Sequence, residues 1–280
     1  PLKSCHRPTG TSDIVKICEL FLLNYGIEPE FYESEYGQFR EDALFGNPTL
    51  DKFAPDIIYI HTNYRNINLP FPVISDNREQ VDLKLSEQYR EFETVWEKLH
   101  DRFDCPIIQN NFEYPFYRLL GNRDAYDFHG RLNYVNRLNQ LFYEYAQSHE
   151  GFYINDINYL SSCYGLDKWA DLSYWYMYKY AMSLDAIPIL TFNISNIIKS
   201  VFGKNKKLLA LDMDNTLWGG VIGDDGVEGI EIGQETANGQ CFREFQEYIL
   251  THKNLGIMLT IASKNEHENA LAGLNHPDSA

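Results

Sequence analysis

The stretch that most constrains the fold is Leu208-Leu209-Ala210-Leu211-Asp212-Met213-Asp214-Asn215-Thr216-Leu217. Four apolar residues behind Lys206-Lys207 read as a buried parallel strand, and Asp212 and Asp214, two residues apart, share one face of an extended chain. Two such carboxylates repel and lose hydration, so one takes up a proton unless a cation lies between them. The residues therefore point to a hard cation held by oxygens, Mg2+ in the first place, at the carboxyl end of a strand. A calcium loop starting at Asp212 would need Gly at its sixth position and Glu at its twelfth, where Leu217 and Gly223 stand. The bland alternative is a pair of solvated carboxylates in a turn.

A second apolar run, Gly256-Ile257-Met258-Leu259-Thr260-Ile261-Ala262, ends in Ser263-Lys264-Asn265. Between the two runs Phe242, Phe245 and Ile249 recur at helical spacing, which predicts a helix from about Gly239 to His252. Strand, helix, strand of these lengths is a crossover that brings both strand ends to one edge of a sheet, so Asp212, Asp214 and Ser263 can meet. Ser263 also stands three residues before Glu266 in capping-box spacing, with Leu271 and Leu274 beyond, which predicts a helix opening at Ser263. A helix amino terminus beside a metal and an aspartate is a phosphate site. Read alone, Ser263 is as readily a plain helix cap and Lys264 a solvated lysine.

The pattern apolar-apolar-apolar-Asp-x-Asp-x-Thr followed by a strand ending in Ser resembles the haloacid dehalogenase (HAD) superfamily. The longer string from Leu211 to Gly223, with Ser263-Lys264-Asn265 after it, resembles its FkbH-like branch. The resemblance implies that Asp212 is a nucleophile forming an aspartyl-phosphate and that Asp214 is general acid and then base. It also implies that Asp212 and Asp214 bind Mg2+, that Thr216 braces the loop, and that Met213, Asn215, Thr216, Ser263, Lys264 and Asn265 hold the phosphoryl group. FkbH-like proteins load a glyceryl group from a phosphorylated three-carbon donor onto an acyl carrier protein, so a phosphorylated small molecule and an acyl carrier protein are the implied partners. The superfamily's third motif, with a Lys, and its fourth, with acidic residues, follow the second strand. Neither occurs before Ala280, and the expectation is that these 280 residues belong to a longer protein.

The preceding 204 residues alternate strands with helices. Predicted are a helix capped at Ser12 or Asp13 and closing near Gly26, an edge strand over Glu28–Tyr32, and a buried strand over Pro55–Ile60. A long helix runs from about Asn77 to Phe103 with Val81, Leu85, Tyr89, Phe92, Trp96 and Leu99 on one face. A strand over Pro106–Gln109, a helix over Leu132–Tyr145, a strand over Phe152–Ile154 and a helix over Ile187–Phe202 complete the series. Pro55 to Asn63 looks like the third strand of SGNH-type hydrolases, which FkbH-like proteins carry ahead of their HAD part. That fold's esterase chemistry needs a Gly-Asp-Ser and a late Asp-x-x-His. Here the former is missing and Tyr174 follows Asp171 where His belongs, which predicts a non-catalytic relative. His61, Asn63, Asn110 and Asn111 stand at strand ends as pocket lining or as ordinary loop residues. The aromatic run Trp169, Tyr174, Trp175, Tyr176, Tyr178 and Tyr180 is assigned to domain packing or a protein interface.

The expected fold is therefore α/β, with two doubly wound parallel-sheet (Rossmann-like) domains: an SGNH-like domain over 1–204 and the start of a HAD domain with a minimal cap over 205–280. That cap is a hairpin from Trp218 to Gly233 with its tip at Asp224-Asp225-Gly226, both aspartates serving as turn formers. An open site of this kind suits a bulky or protein-borne substrate. Forty acidic residues against 24 basic give a net charge of -16, which repels nucleic acid and anionic membrane. Five widely spaced cysteines without a zinc or redox spacing, and no apolar run near the roughly 18 residues of a membrane span, point to a reduced cytoplasmic protein. The functional expectation is a Mg2+-dependent phosphatase or phosphotransferase. The rival from another class is a non-catalytic docking module that binds a carrier protein or phosphate.

Overall fold

In the computed structural model, residues 2–6, 11–35 and 38–280 are described, and the chain divides into two compact units, 1–204 and 205–280. The first contains β1 (Leu2–His6), α1 (Thr11–Asn24), β2 (Pro29–Glu33), α2 (Phe39–Phe45), α3 (Pro48–Phe53), β3 (Ile57–Ile60), α4 (Arg78–Phe103) and β4 (Ile107–Asn110). It continues through α5 (Arg131–Ser148), β5 (Phe152–Asn155), α6 (Ile157–Tyr164), α7 (Leu166–Trp169), α8 (Leu172–Tyr178) and α9 (Ile187–Val201).

The five strands form one parallel sheet in the order β2-β1-β3-β4-β5. Each residue of β3 and β4 is buried, as a strand covered on both faces must be. One apolar layer joins Leu85, Phe92, Val95, Trp96 and Leu99 of α4 and Tyr134, Val135, Leu138 and Phe142 of α5 to Ile58, Ile60, Ile107 and Phe152 of the sheet. The other joins Ile14, Cys18 and Leu22 of α1 and Ile187, Leu190, Ile194 and Ile198 of α9 to Ile57, Tyr59 and Ile108. Asn77 and Gln80 cap α4 reciprocally, which fixes where that helix starts. The strand order reverses between β1 and β3.

Several expectations change. β1 has no apolar run and was not anticipated; its place comes from pairing with both β2 and β3. Ser12 and Asp13 lie in the first turn of α1, not at its cap. The aromatic run splits: Trp169 is fully enclosed, whereas α8 buries no residue and leaves Tyr176 and Tyr178 in solvent.

The second unit contains β6 (Leu208–Leu211), α10 (Ile222–Asp225), α11 (Ala237–Asn254), β7 (Met258–Ile261) and α12 (His267–Leu274). Among the described residues its sheet has two parallel strands, β6 and β7, paired from Leu208 with Met258 to Leu211 with Ile261, rather than a doubly wound array. With so narrow a sheet the strands are not the buried core expected of them: Leu208 is 52% exposed and Met258 61%. The core lies at the strand ends instead, where Leu211, Met213, Leu217, Trp218, Ile222, Ile230, Ile232 and Ile249 pack together. On α11 the buried positions are Gly239, Gln246 and Ile249, while Phe245 faces solvent. The expected hairpin is a single antiparallel bridge between Gly219 and Glu231 that encloses α10 and a 3-10 turn over Val227–Gly229. Asp225 closes that segment by accepting from the Val221 amide at 2.7 Å. No helix among the described residues is long and apolar enough to cross a membrane.

Candidate active site

β6 and β7 leave their sheet at the same edge, where the Ala262 amide donates to the Leu211 carbonyl at 2.8 Å. The next residues on one side are Asp212-Met213-Asp214 and on the other Ser263-Lys264-Asn265. Met213 is fully enclosed and its carbonyl accepts from the Thr216 and Leu217 amides at 3.1 and 2.8 Å, so a tight turn follows the strand. Asn215 takes the left-handed conformation, φ 54°, which Asn tolerates better than most residues; its side-chain oxygen accepts from the Gly220 amide at 3.1 Å. Gln246 of α11 donates to the Leu217 carbonyl at 2.8 Å and clamps the turn from the helix side.

This turn treats the two carboxylates differently. Asp212 is exposed, and among the described residues its Oδ1 accepts only from the adjoining Met213 amide, at 2.8 Å. Asp214 is half-buried, and its Oδ1 accepts from the Trp218 indole N–H at 3.0 Å and the Ile222 amide at 3.2 Å. Asp214 is thus held in one orientation while Asp212 stays accessible. The indole is itself fixed from α12: a Cβ on Gly273 would lie 2.6 Å from Trp218 Cη2, so only glycine allows the helix this close. Trp218 lies within the Leu211–Gly223 string, where the resemblance assigns it no role. The available signal was its position four residues after Asp214, across one turn of chain.

Opposite, Ser263 does not cap a helix. α12 starts four residues later behind Glu266, and Ser263 Oγ accepts from the Asn265 amide at 3.1 Å, leaving its hydroxyl proton for another acceptor. Thr260 and Ile261 hold the chain extended, and Ser263-Asn265 forms its own small turn before the helix can begin. Lys264 is exposed. Asn265 Nδ2 is buried with no hydrogen-bond partner among the described residues, and a donor in that state calls for an acceptor. The edge therefore carries carboxylate oxygens on one strand end and hydroxyl, amide and ammonium donors, without acceptors among the described residues, on the other. In kind, the oxygens suit a hard divalent cation and the donors a phosphoryl group. Among the described residues no group of three or more His, Cys, Asp or Glu side chains is placed to hold a metal.

The strand ends of the first unit behave otherwise. Asn110 accepts from Tyr59 at 2.8 Å and Asn155 at 2.6 Å, and donates to His61 Nδ1 and the Thr62 carbonyl, each at 3.0 Å. Asn193 of α9 donates to Asn155 at 2.6 Å. Asn111 donates to Tyr143 and Asp156 and accepts from the Asn158 amide, while Asn63 caps the turn at Arg65. All four sequence candidates, His61, Asn63, Asn110 and Asn111, are buried and tie strands and helices together; Asn110 ends β4, and the other three lie in the connections just beyond β3 and β4. Asp171 is spent as the cap of α8, accepting from the Ser173 and Tyr174 amides. Glu113, just beyond β4, is enclosed and accepts from the Tyr64 amide at 3.2 Å; burial pushes its carboxyl up to about 8.

Comparison with known proteins gives a consistent frame. The family description FkbH, N-terminal domain, matches residues 22–199. The crystal structure of the N-terminal part of protein BF1531 from Bacteroides fragilis, containing a phosphatase domain and complexed with Mg, is 26% identical. The match covers 100% of this chain and 73% of that one, with a TM-score of 0.87. An acetyl xylan esterase, AlAXEase, is 10% identical over 70% of this chain and 100% of its own, with a TM-score of 0.47. A GDSL-like lipase from Bacteroides thetaiotaomicron is 12% identical over 71% and 88%, with a TM-score of 0.37. None of the curated proteins matches the chain.

Proposed function

The chain belongs to the FkbH family through its N-terminal domain, and from that premise we propose that its second unit carries out Mg2+-dependent phosphoryl chemistry of the HAD type. The observation that carries this reading is the unequal treatment of two neighbouring carboxylates: Asp212 accessible at the strand end, Asp214 fixed by Trp218 and Ile222. The likeness to a protein with a phosphatase domain and Mg, over the whole chain, supports it.

In this reading an Asp212 oxygen attacks the phosphorus of a phosphate monoester, forming an aspartyl-phosphate as the bond to the leaving oxygen breaks. Asp214, protonated for this half, gives its proton to the leaving oxygen; it then takes one from the water that attacks the aspartyl-phosphate, which releases phosphate and restores Asp212. Ser263 and Asn265 donate to the equatorial oxygens of the phosphoryl group, with the Met213 and Asn215 amides and Lys264 beside them. Mg2+ would be held by an Asp212 carboxylate oxygen and the Asp214 backbone carbonyl, and when bound would neutralise charge on the transferring group.

The finer expectation, glyceryl loading onto an acyl carrier protein, adds a thiol acceptor to the same phosphate release. The N-terminal unit serves as a non-catalytic docking domain in this account, because its strand-end polar groups are consumed internally and Asp171 is a helix cap. The test is phosphate release from p-nitrophenyl phosphate and from a three-carbon phosphate ester by the full chain, with Mg2+ and with chelator. Turnover that needs Mg2+ and is lost in Asp212→Asn supports the reading. Turnover unchanged in Asp212→Asn refutes it, and binding of a carrier protein without any turnover favours the docking alternative.

A further inference from the structure

The segment Ile67-Asn68-Leu69-Pro70-Phe71-Pro72-Val73-Ile74 leads into α4 and, with Leu119, Leu120 and the start of α5, lines a cavity of about 620 Å3. That size lies within the roughly 300–1,000 Å3 of small-molecule sites. The segment is pinned rather than loose. Leu69 donates its amide to the buried Gln88 at 2.9 Å and Val73 donates to Asp76 at 2.8 Å, while Phe71 meets Tyr134 edge-on with ring centroids 5.6 Å apart. Pro70 and Pro72 carry no backbone donor and restrict the segment's φ angles. The rim residues Ile74 and Leu119 are 67% and 65% exposed, which leaves apolar surface uncovered around the opening.

Three charged side chains line this cavity, and two are spent on the fold. Asp124 is fully buried and accepts from the Leu132 amide at 2.8 Å and the Leu120 amide at 3.1 Å. Both ring nitrogens of His129 are taken, one by Asp127 at 2.8 Å and the other by the Asp76 carbonyl at 2.9 Å. Arg131 remains. Its guanidinium lies 5.2 Å from the centre of the Phe71 ring and, among the described residues, forms no ion pair. In a chain of net charge -16, a cation left without a carboxylate at the edge of an apolar cavity is poised for an external anion.

We propose that this cavity binds a small amphiphile with a carboxylate head and a single apolar tail, the head on Arg131 and the tail along Leu69, Phe71, Val73, Ile74 and Leu119. This site is separate from Asp212 and does not depend on the phosphoryl reading. Calorimetric titration of the full chain with octanoate, octan-1-ol and octylamine, all below micelle formation, tests it. The expected result is saturable octanoate binding at one site, at least tenfold tighter than octanol or octylamine. Arg131→Met lowers octanoate affinity at least tenfold and leaves octanol unchanged, Arg131→Lys restores most of it, and Ile74→Asp weakens both ligands. Circular dichroism confirms that each variant is folded, and Ile74→Asp, at an exposed position, tests the tail contact without touching the guanidinium. Absence of saturable octanoate binding at millimolar concentration, equal affinity for acid and alcohol, or an Arg131→Met variant that binds octanoate as well as the parent would overturn the proposal.

Discussion

Replacing Glu113 by Gln should stabilise the first unit at alkaline pH and leave it nearly unchanged in acid. Glu113 is 3% exposed, and burial raises its carboxyl from 4.5 to about 8 in the folded protein. Between those values the folded chain holds a proton that the unfolded chain has released. The unfolded state therefore binds fewer protons, and stability falls as pH rises, by about 1.4 kcal/mol per pH unit. The stabilisation is fully present below the unfolded value and has gone once pH passes the folded one, an accumulated loss on the order of 5 kcal/mol. Gln keeps an acceptor for the Tyr64 amide and carries no ionisable proton, so its curve lacks this slope. Urea titrations at pH 5 and pH 8.5, with amide exchange in β4 as the readout, should show little difference in acid and a clear gain for Glu113→Gln in base. An equal difference at both pH values, or a variant less stable at pH 8.5, would refute the reasoning.

Trp218→Phe removes the indole donor that holds Asp214 at 3.0 Å; kcat should fall about tenfold with little change in KM, because orientation and not binding is lost. Gly273→Ala places a methyl 2.6 Å from Trp218 Cη2, so urea unfolding of the second unit should show a loss of about 1–3 kcal/mol together with reduced turnover. His129 is raised above its usual value, first by its bond to the Asp76 carbonyl and then by Asp127. Its contribution is present below pH 6.5 and lost as pH rises through the folded value, so thermal melts of His129→Gln should fall furthest below the parent in mild acid and converge with it in base.

Much of the first unit was legible because its signals are local. The four-residue runs Ile57–Ile60 and Phe152–Asn155, the helical face Leu85, Phe92, Trp96 and Leu99, and the Asn77 cap each carry their own periodicity or capping chemistry. β1 was not, since its strand state comes from pairing on both sides rather than from its own residues. The same limit explains Asn110 and Asn111: a strand-end amide looks like a surface residue until Tyr59, Asn155 and Tyr143 arrive to satisfy it. At the candidate site the placing of Asp212 and Asp214 just past β6 could be read from spacing alone. Their unequal surroundings could not, because Trp218, Ile222 and Gly273 act through the third dimension. Capping-box spacing misplaced the start of α12, where the turn of Ser263 with Asn265 took precedence over helix initiation.

The central claim is that Asp212 becomes covalently phosphorylated. Rapid quench of the full chain turning over a phosphate monoester with Mg2+, reduction with borohydride and peptide mass spectrometry tests it directly. The account predicts homoserine at position 212 and an unmodified residue 214. Phosphate release with neither aspartate reduced would contradict it.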